Sequence, residues 1–325
     1  MLQKRIMTAI VLATLAIAAV FQLPSDLFSL AFGIIILMAA WEWSHLIGIN
    51  VPSKKYLFLL SLIVPMLWIH YWTQFLEALQ YLIETAQQDI YQHAKKVGWT
   101  AISSFMEFLN IPDIRVYSGI VEWLVIPAVI FWVLVMAIIK HSPSGILKLD
   151  LKLRSKKWLG WFVLLSAWIF FCRLRNLYGS EMTMYFLILI WVADISAFFV
   201  GKMYGKTKLA PDISPGKTMA GFYGALFSAV ICGVVLSLIY GFPLMNASDI
   251  VLLSVLTVLI SIYGDLFFSV VKRQSGVKES GSLLPGHGGI LDRMDSMIAA
   301  IPFFYAGIYL IYRMLETAQE TGAVE

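Results

Sequence analysis

Residues 261–296 read SIYGDLFFSVVKRQSGVKESGSLLPGHGGILDRMDS, and this stretch decides how the chain folds. An apolar run carries Asp265 close to its end and breaks into Lys272 and Arg273. A loop with Lys278 and several glycines follows and ends in His287-Gly288-Gly289; the next apolar run opens on Asp292, Arg293 and Asp295. Runs of this kind are the material of membrane helices, where ionisable residues are costly and mark function by default. Two membrane helices therefore meet at a corner of carboxylates, cations and glycines. The rest of the chain reads as the frame that holds it.

Composition supports that frame. Of 325 residues, 60% are hydrophobic and 14% charged, with a mean hydropathy of +0.80. Soluble domains run nearer about 45–50% apolar and about 25% charged, so a water-soluble globular chain is excluded. Cys172 and Cys232 sit in apolar runs without disulfide or metal-ligand spacing, and read as small buried hydrophobes. No nucleic-acid partner is expected.

Apolar runs at Ile6–Phe21, Leu27–Ile49, Tyr56–Trp72, Val121–Ile139, Trp158–Cys172, Met184–Val200, Met219–Tyr240, Ile250–Val271 and Leu291–Leu310 predict an all-α integral membrane protein, a polytopic bundle of about nine transmembrane helices. Ala16-Ile17-Ala18 resembles a signal-peptidase site, which makes a cleaved leader the competing reading of the first run. Short cytoplasmic loops carry excess Lys and Arg. With Lys4 and Arg5 inside, the inside segments hold Lys54 and Lys55, the basic loop from Lys140 to Lys157, the lysines from Lys202 to Lys217, and Lys272, Arg273 and Lys278. The alternation holds at every loop, giving a cytoplasmic N-terminus and a C-terminus outside. Residues 1–325 are expected to form one membrane domain, with N-terminal spans in 1–72, middle spans in 120–182 and the chemistry in 183–314. Between them, 73–119 reads as an extracytoplasmic amphipathic segment, with Phe75, Leu76, Leu79, Leu82, Ile83 and Ile90 at helical spacing.

This topology brings three carboxylates to one face. Asp194 lies about 10 Å from the cytoplasmic end of its run and Asp265 about 9 Å, at 1.5 Å per residue. Asp292 starts a run of the opposite direction, with Asp295 on the same helix face at i,i+3. Two loops surround them. The first ends in Ser214-Pro-Gly-Lys217-Thr218; it lacks the first glycine of a P-loop, since Pro211 stands there, but it precedes a helix start, where backbone N–H groups favour phosphate. The second offers Lys272, Arg273, Lys278 and His287, with Gly288 and Gly289 permitting close backbone approach. Carboxylates and cations at one depth suit a metal-bound polyphosphate, because Mg²⁺ takes one or two carboxylates plus substrate phosphates. A cytoplasm-facing membrane enzyme acting on a nucleotide and a lipid is the expectation.

The tail pattern Ser269-x-x-Lys272-Arg273, Lys278-x-Ser280-Gly281 and Pro285-Gly-His287-Gly-Gly-x-x-Asp292-Arg293-x-Asp295 resembles the signature of phosphatidate cytidylyltransferases, the CDP-diacylglycerol synthases. Trp191-x-x-Asp194 through Gly201, Gly205-Lys206, Leu209-x-Pro211 and Ile213-Ser-Pro-x-Lys217-Thr218 is similar to that family's other block, and Met-Leu-x-x-Arg5 and Ala39-Ala-Trp-Glu42-Trp43 are similar to bacterial members. The resemblance implies attack of a phosphatidate oxygen on the α-phosphorus of CTP, giving CDP-diacylglycerol and pyrophosphate with Mg²⁺ and, as an option, a second metal ion. It implies a multi-pass protein of the bacterial inner membrane with its site facing the cytoplasm, in contact with membrane lipids and paired as a homodimer. Asp265 and Asp292 would be metal ligands. Lys217, Lys272, Arg273, Lys278 and Arg293 would hold phosphates, Ser214 and His287 would position substrate, and Asp194, Thr218, Gly288, Gly289 and Asp295 would complete the substrate site.

The chain departs from that pattern at three positions: Glu279 stands for Asp, Phe268 for Glu, and Ala220 for Glu or Gln. The last two remove polar groups, so a divergent paralogue with another lipid acceptor or no activity is the near alternative. A transporter using Asp194 and Asp265 is the alternative from another class, although transporters place such residues near the midplane.

Overall fold

The computed structural model describes residues 2–108, 114–241, 244–283 and 288–320. Ten α-helices carry nearly all of them: α1 (Leu2–Gln22), α2 (Ser25–Leu46), α3 (Pro52–Val97), α4 (Thr100–Phe108), α5 (Val125–His141), α6 (Pro143–Lys148), α7 (Leu153–Tyr204), α8 (Met219–Tyr240), α9 (Leu244–Gln274) and α10 (Leu291–Glu320). Among the described residues, seven helices are long and apolar enough to cross a membrane, and α1 adds a shorter apolar stretch, Val11–Gln22. The protein is an all-α multi-pass membrane protein, as composition predicts. Its exposed residues fit a hydrocarbon surround: Phe227, Leu238 and Ile239 on α8 are 67%, 75% and 72% exposed.

Two helices run through breaks that the sequence suggested. The expected span ending at Trp72 continues without interruption in α3 to Val97. The expected loop after Cys172 is helical except at Gly179, whose φ of 81° and ψ of 177° bend α7. Only glycine adopts that conformation without steric cost, and Thr183 Oγ1 donates to the Gly179 carbonyl at 2.8 Å to steady the helix beyond. At 1.5 Å per residue α7 would be about 78 Å long, far beyond one crossing of a ~30 Å core. It therefore carries two of the expected spans.

The segment between α7 and α8 forms the one sheet among the described residues, an antiparallel hairpin of β1 (Lys208–Ala210) and β2 (Ser214–Thr218). Lys208 pairs with Thr218 and Ala210 with Ser214.

The chain divides into two compact units. One is Ile63–Leu124; the other joins Met1–Leu62 to Val125–Glu325. In the smaller unit, Trp68, Trp72 and Phe75 form a run of ring contacts along α3, and Gln87 donates to the Met106 carbonyl at 3.2 Å. In the larger unit α7 packs on α8 and α10, and α9 on α8 and α10, with α2 against α7 and α5 against α9. Trp43, Trp132, Phe170, Phe186, Phe268 and Phe304 are fully buried between these helices.

Candidate functional site

The site forms where the α9–α10 corner meets the hairpin. Thr218 ends β2 and caps α8, its hydroxyl accepting from Gly221 N at 3.1 Å. Lys217 is thereby fixed one residue before the helix. Its Nζ lies 2.6 Å from Asp265 Oδ2 on α9 and 3.3 Å from the Ile262 carbonyl. Ser269, one turn beyond Asp265, donates to Asp265 Oδ1 at 3.4 Å. Two turns beyond Asp265, Lys272 Nζ lies 2.7 Å from Asp292 Oδ1 and 3.9 Å from Asp295 Oδ2 on α10. The second Asp292 oxygen accepts from Ser280 N at 2.8 Å and Gly289 N at 3.3 Å. Lys272 and Asp292 are nearly enclosed, with side chains 11% and 13% exposed. Hydrogen bonds to charged groups strengthen in such surroundings, so the pair is held firmly.

These groups open onto one cavity of about 660 Å³. Asp194, Asp265, Asp292 and Asp295 line it from three helices, facing Lys217, Lys272, Lys278 and Arg293. Thr218 also lines it, so nine of the residues expected from sequence share this wall. Two others point elsewhere. Arg273 donates through Nε to the Ile213 carbonyl at 3.3 Å and through Nη1 to Val277 O at 3.5 Å, so it ties the hairpin to α9 rather than lining the cavity. Ser214 lies at the far end of β2, the strand that runs into the start of α8 through the Thr218 cap, and is absent from the cavity wall. Gly288 and Gly289 shape the loop; Gly288 has φ 86°, and a Cβ there would meet Glu279 Oε2 at 3.2 Å. His287 lies outside the described residues.

The donor set is compatible with a hard cation. All four carboxylates offer oxygen, and three of them, Asp265, Asp292 and, at the longer distance, Asp295, are already paired with ammonium groups. Among the described residues no three His, Cys, Asp or Glu side chains gather as a ready-made metal cage. Oxygen donors of this kind fit Mg²⁺, for which one or two protein carboxylates suffice.

The profile of the cytidylyltransferase family matches residues 3–311. The chain belongs to that family. The phosphatidate cytidylyltransferase of Haemophilus influenzae strain Rd is 31% identical over 320 residues, covering 94% of this chain and 97% of that protein. The Pseudomonas aeruginosa protein of the same name is 32% identical over 306 residues, 94% of this chain and 96% of its own length. A Bacillus subtilis phosphatidate cytidylyltransferase is 42% identical over a shorter stretch of 141 residues, 42% of this chain and 51% of that protein.

Within this cytidylyltransferase-family chain, Phe268 and Glu279 fall in distinct places. Phe268 is 1% exposed and packs among Trp43, Trp132 and Phe267 at centroid distances of 6.1, 6.4 and 5.3 Å. It belongs to an aromatic core, not to the cavity wall. Glu279, by contrast, lines the cavity. Three contributors were not singled out from sequence. Lys202 and Lys208 line the cavity, but as two lysines in a basic loop they are indistinguishable from ordinary positive-inside charge. The third is Glu42 on α2, 2% exposed. Its carboxylate accepts from Ser280 Oγ at 2.8 Å, Ile290 N at 3.0 Å and Leu291 N at 2.9 Å. Its signal was an acid between two tryptophans inside an apolar run.

Proposed function

We propose that the protein transfers a cytidylyl group from CTP to phosphatidate at the cytoplasmic face of a bacterial inner membrane, forming CDP-diacylglycerol and releasing pyrophosphate. The observation that carries this reading is the interlocked pair of contacts, Lys217 with Asp265 and Lys272 with Asp292, opening into one cavity. The names of the full-length relatives agree with it.

A phosphatidate oxygen attacks the α-phosphorus, the bond to the bridging oxygen of the β-phosphate breaks, and pyrophosphate leaves with that oxygen. The protein supplies position and charge rather than covalent chemistry. Lys202, Lys208, Lys278 and Arg293 line the cavity as cations for the polyphosphate and the lipid phosphate. Asp265 and Asp292 would hold Mg²⁺, which when bound offsets the charge gathering on the leaving pyrophosphate. Lys217 and Lys272 keep those two carboxylates in place.

Pyrophosphate release by purified protein given CTP and dispersed phosphatidate tests this. Release should require both substrates and stop on chelation of divalent metal. Asp265→Asn and Asp292→Asn should each lower turnover by about 100-fold or more, the scale lost when a charge-stabilising group is removed. Near-normal turnover in either variant would remove it from the metal site.

A further inference from the structure

We propose that Glu42 is a positioning residue of this site, fixing the Asp292 carboxylate from the opposite side of the loop; this rests on the cytidylyl-transfer reading. Glu42 lies on α2, 248 and 249 residues before its backbone partners Ile290 and Leu291. Those two N–H groups lie at the start of α10, where a helix leaves its first N–H groups without intrahelical acceptors. One carboxylate satisfies both and also takes the Ser280 hydroxyl. A negative group at that end is also favoured by the helix dipole.

The connection between α9 and α10 also carries the two backbone donors of Asp292. Ser280 uses its hydroxyl on Glu42 and its N–H on Asp292 Oδ2. Gly289, whose N–H also reaches Asp292 Oδ2, immediately precedes the two residues that Glu42 holds. Glu42 and Asp292 therefore grip one loop from two sides, and Lys272 completes the line on the far oxygen of Asp292. The fit leaves no slack. A Cβ on Gly281 would stand 2.5 Å from Glu42 Oε1, and one on Gly289 would stand 1.9 Å from Ser280 Oγ and 2.5 Å from Glu42 Oε2. A side chain is thus excluded at Gly281 by the carboxylate, and at Gly289 by the Ser280 hydroxyl together with the carboxylate, independently of any need for an unusual backbone angle. Glu42 does not line the cavity, so its effect on the reaction passes through the loop and Asp292.

Glu42→Gln and Gly281→Ala test the proposal in the full-length protein, with pyrophosphate release measured while CTP and phosphatidate are varied in turn. Outer-shell groups of this kind are worth about 10- to 100-fold. We expect kcat/KM for CTP to fall by that factor with a raised KM for CTP and an unchanged KM for phosphatidate. Amide hydrogen exchange at Ile290 and Leu291 should accelerate in Glu42→Gln. A merely structural role would lower the active fraction and leave both KM values alone. Wild-type kcat/KM for CTP in either folded variant, or a loss confined to kcat, would overturn the proposal. Gly281→Ala keeps the acid and displaces it, so it decides the matter should Glu42→Gln not fold. If the wild-type protein releases no pyrophosphate, the transfer reading falls and this role with it; an active wild type with unaffected variants removes only the role of Glu42.

Discussion

Lys272 shows how much one residue can carry: its ammonium group reaches carboxylates at two positions of α10 from the end of α9. Unpairing such a group leaves a nearly enclosed charge behind, which is why the contact fixes the corner between the two helices. Phe268 is the opposite case, a residue beside the site that serves the core. Phe268→Ala is expected to cost about 3–5 kcal/mol in stability, read by unfolding in detergent, while turnover per folded molecule stays close to normal. A large turnover loss without destabilisation would place Phe268 in the chemistry instead. At this scale the sequence was informative wherever charge interrupted an apolar run, as at Asp194, Asp265 and Asp292. At Glu42 it marked an acid inside an apolar run but not its task, because two of the three donors that Glu42 satisfies are backbone N–H groups, which have no letter of their own. The place of Arg273 was hidden for a similar reason: its partners are the carbonyls of Ile213 and Val277.

Among the elements, α7 and the hairpin position the site. The break at Gly179 divides α7 into two helical halves that serve as two spans, with Asp194 on the second. Gly179→Ala places a side chain in a backbone region that is essentially glycine-only, at a cost of about 1–3 kcal/mol. A lowered melting temperature in detergent is the expected result, and an unchanged one would mean that α7 tolerates another path there. Apolar periodicity could not reveal this join, since a run of hydrophobic residues looks alike on either side of a kink. The hairpin was hidden for another reason. Its strands are three and five residues long, and Pro211, Pro215 and Gly216 read as loop. Pairing of Lys208 with Thr218 then brings two cavity-lining residues together from opposite ends of that loop.

Across the whole molecule, the fold class followed from composition, because so apolar a chain must satisfy its backbone within helices. The site was legible as a region because the Asp, Lys and Gly residues cluster in two stretches of sequence, and the packing of α7 with α8 and of α9 with α10 brings both to one cavity. In the proposed reaction this cavity joins the α-phosphate of CTP to a lipid phosphate. This transfer is tested most directly by following label from CTP into the organic phase in the presence of phosphatidate vesicles, Mg²⁺ and the purified protein. Label at the α-phosphate should pass into lipid while label at the γ-phosphate leaves as water-soluble pyrophosphate. Transfer of the γ-label to lipid, or α-label that stays wholly in water, would contradict it.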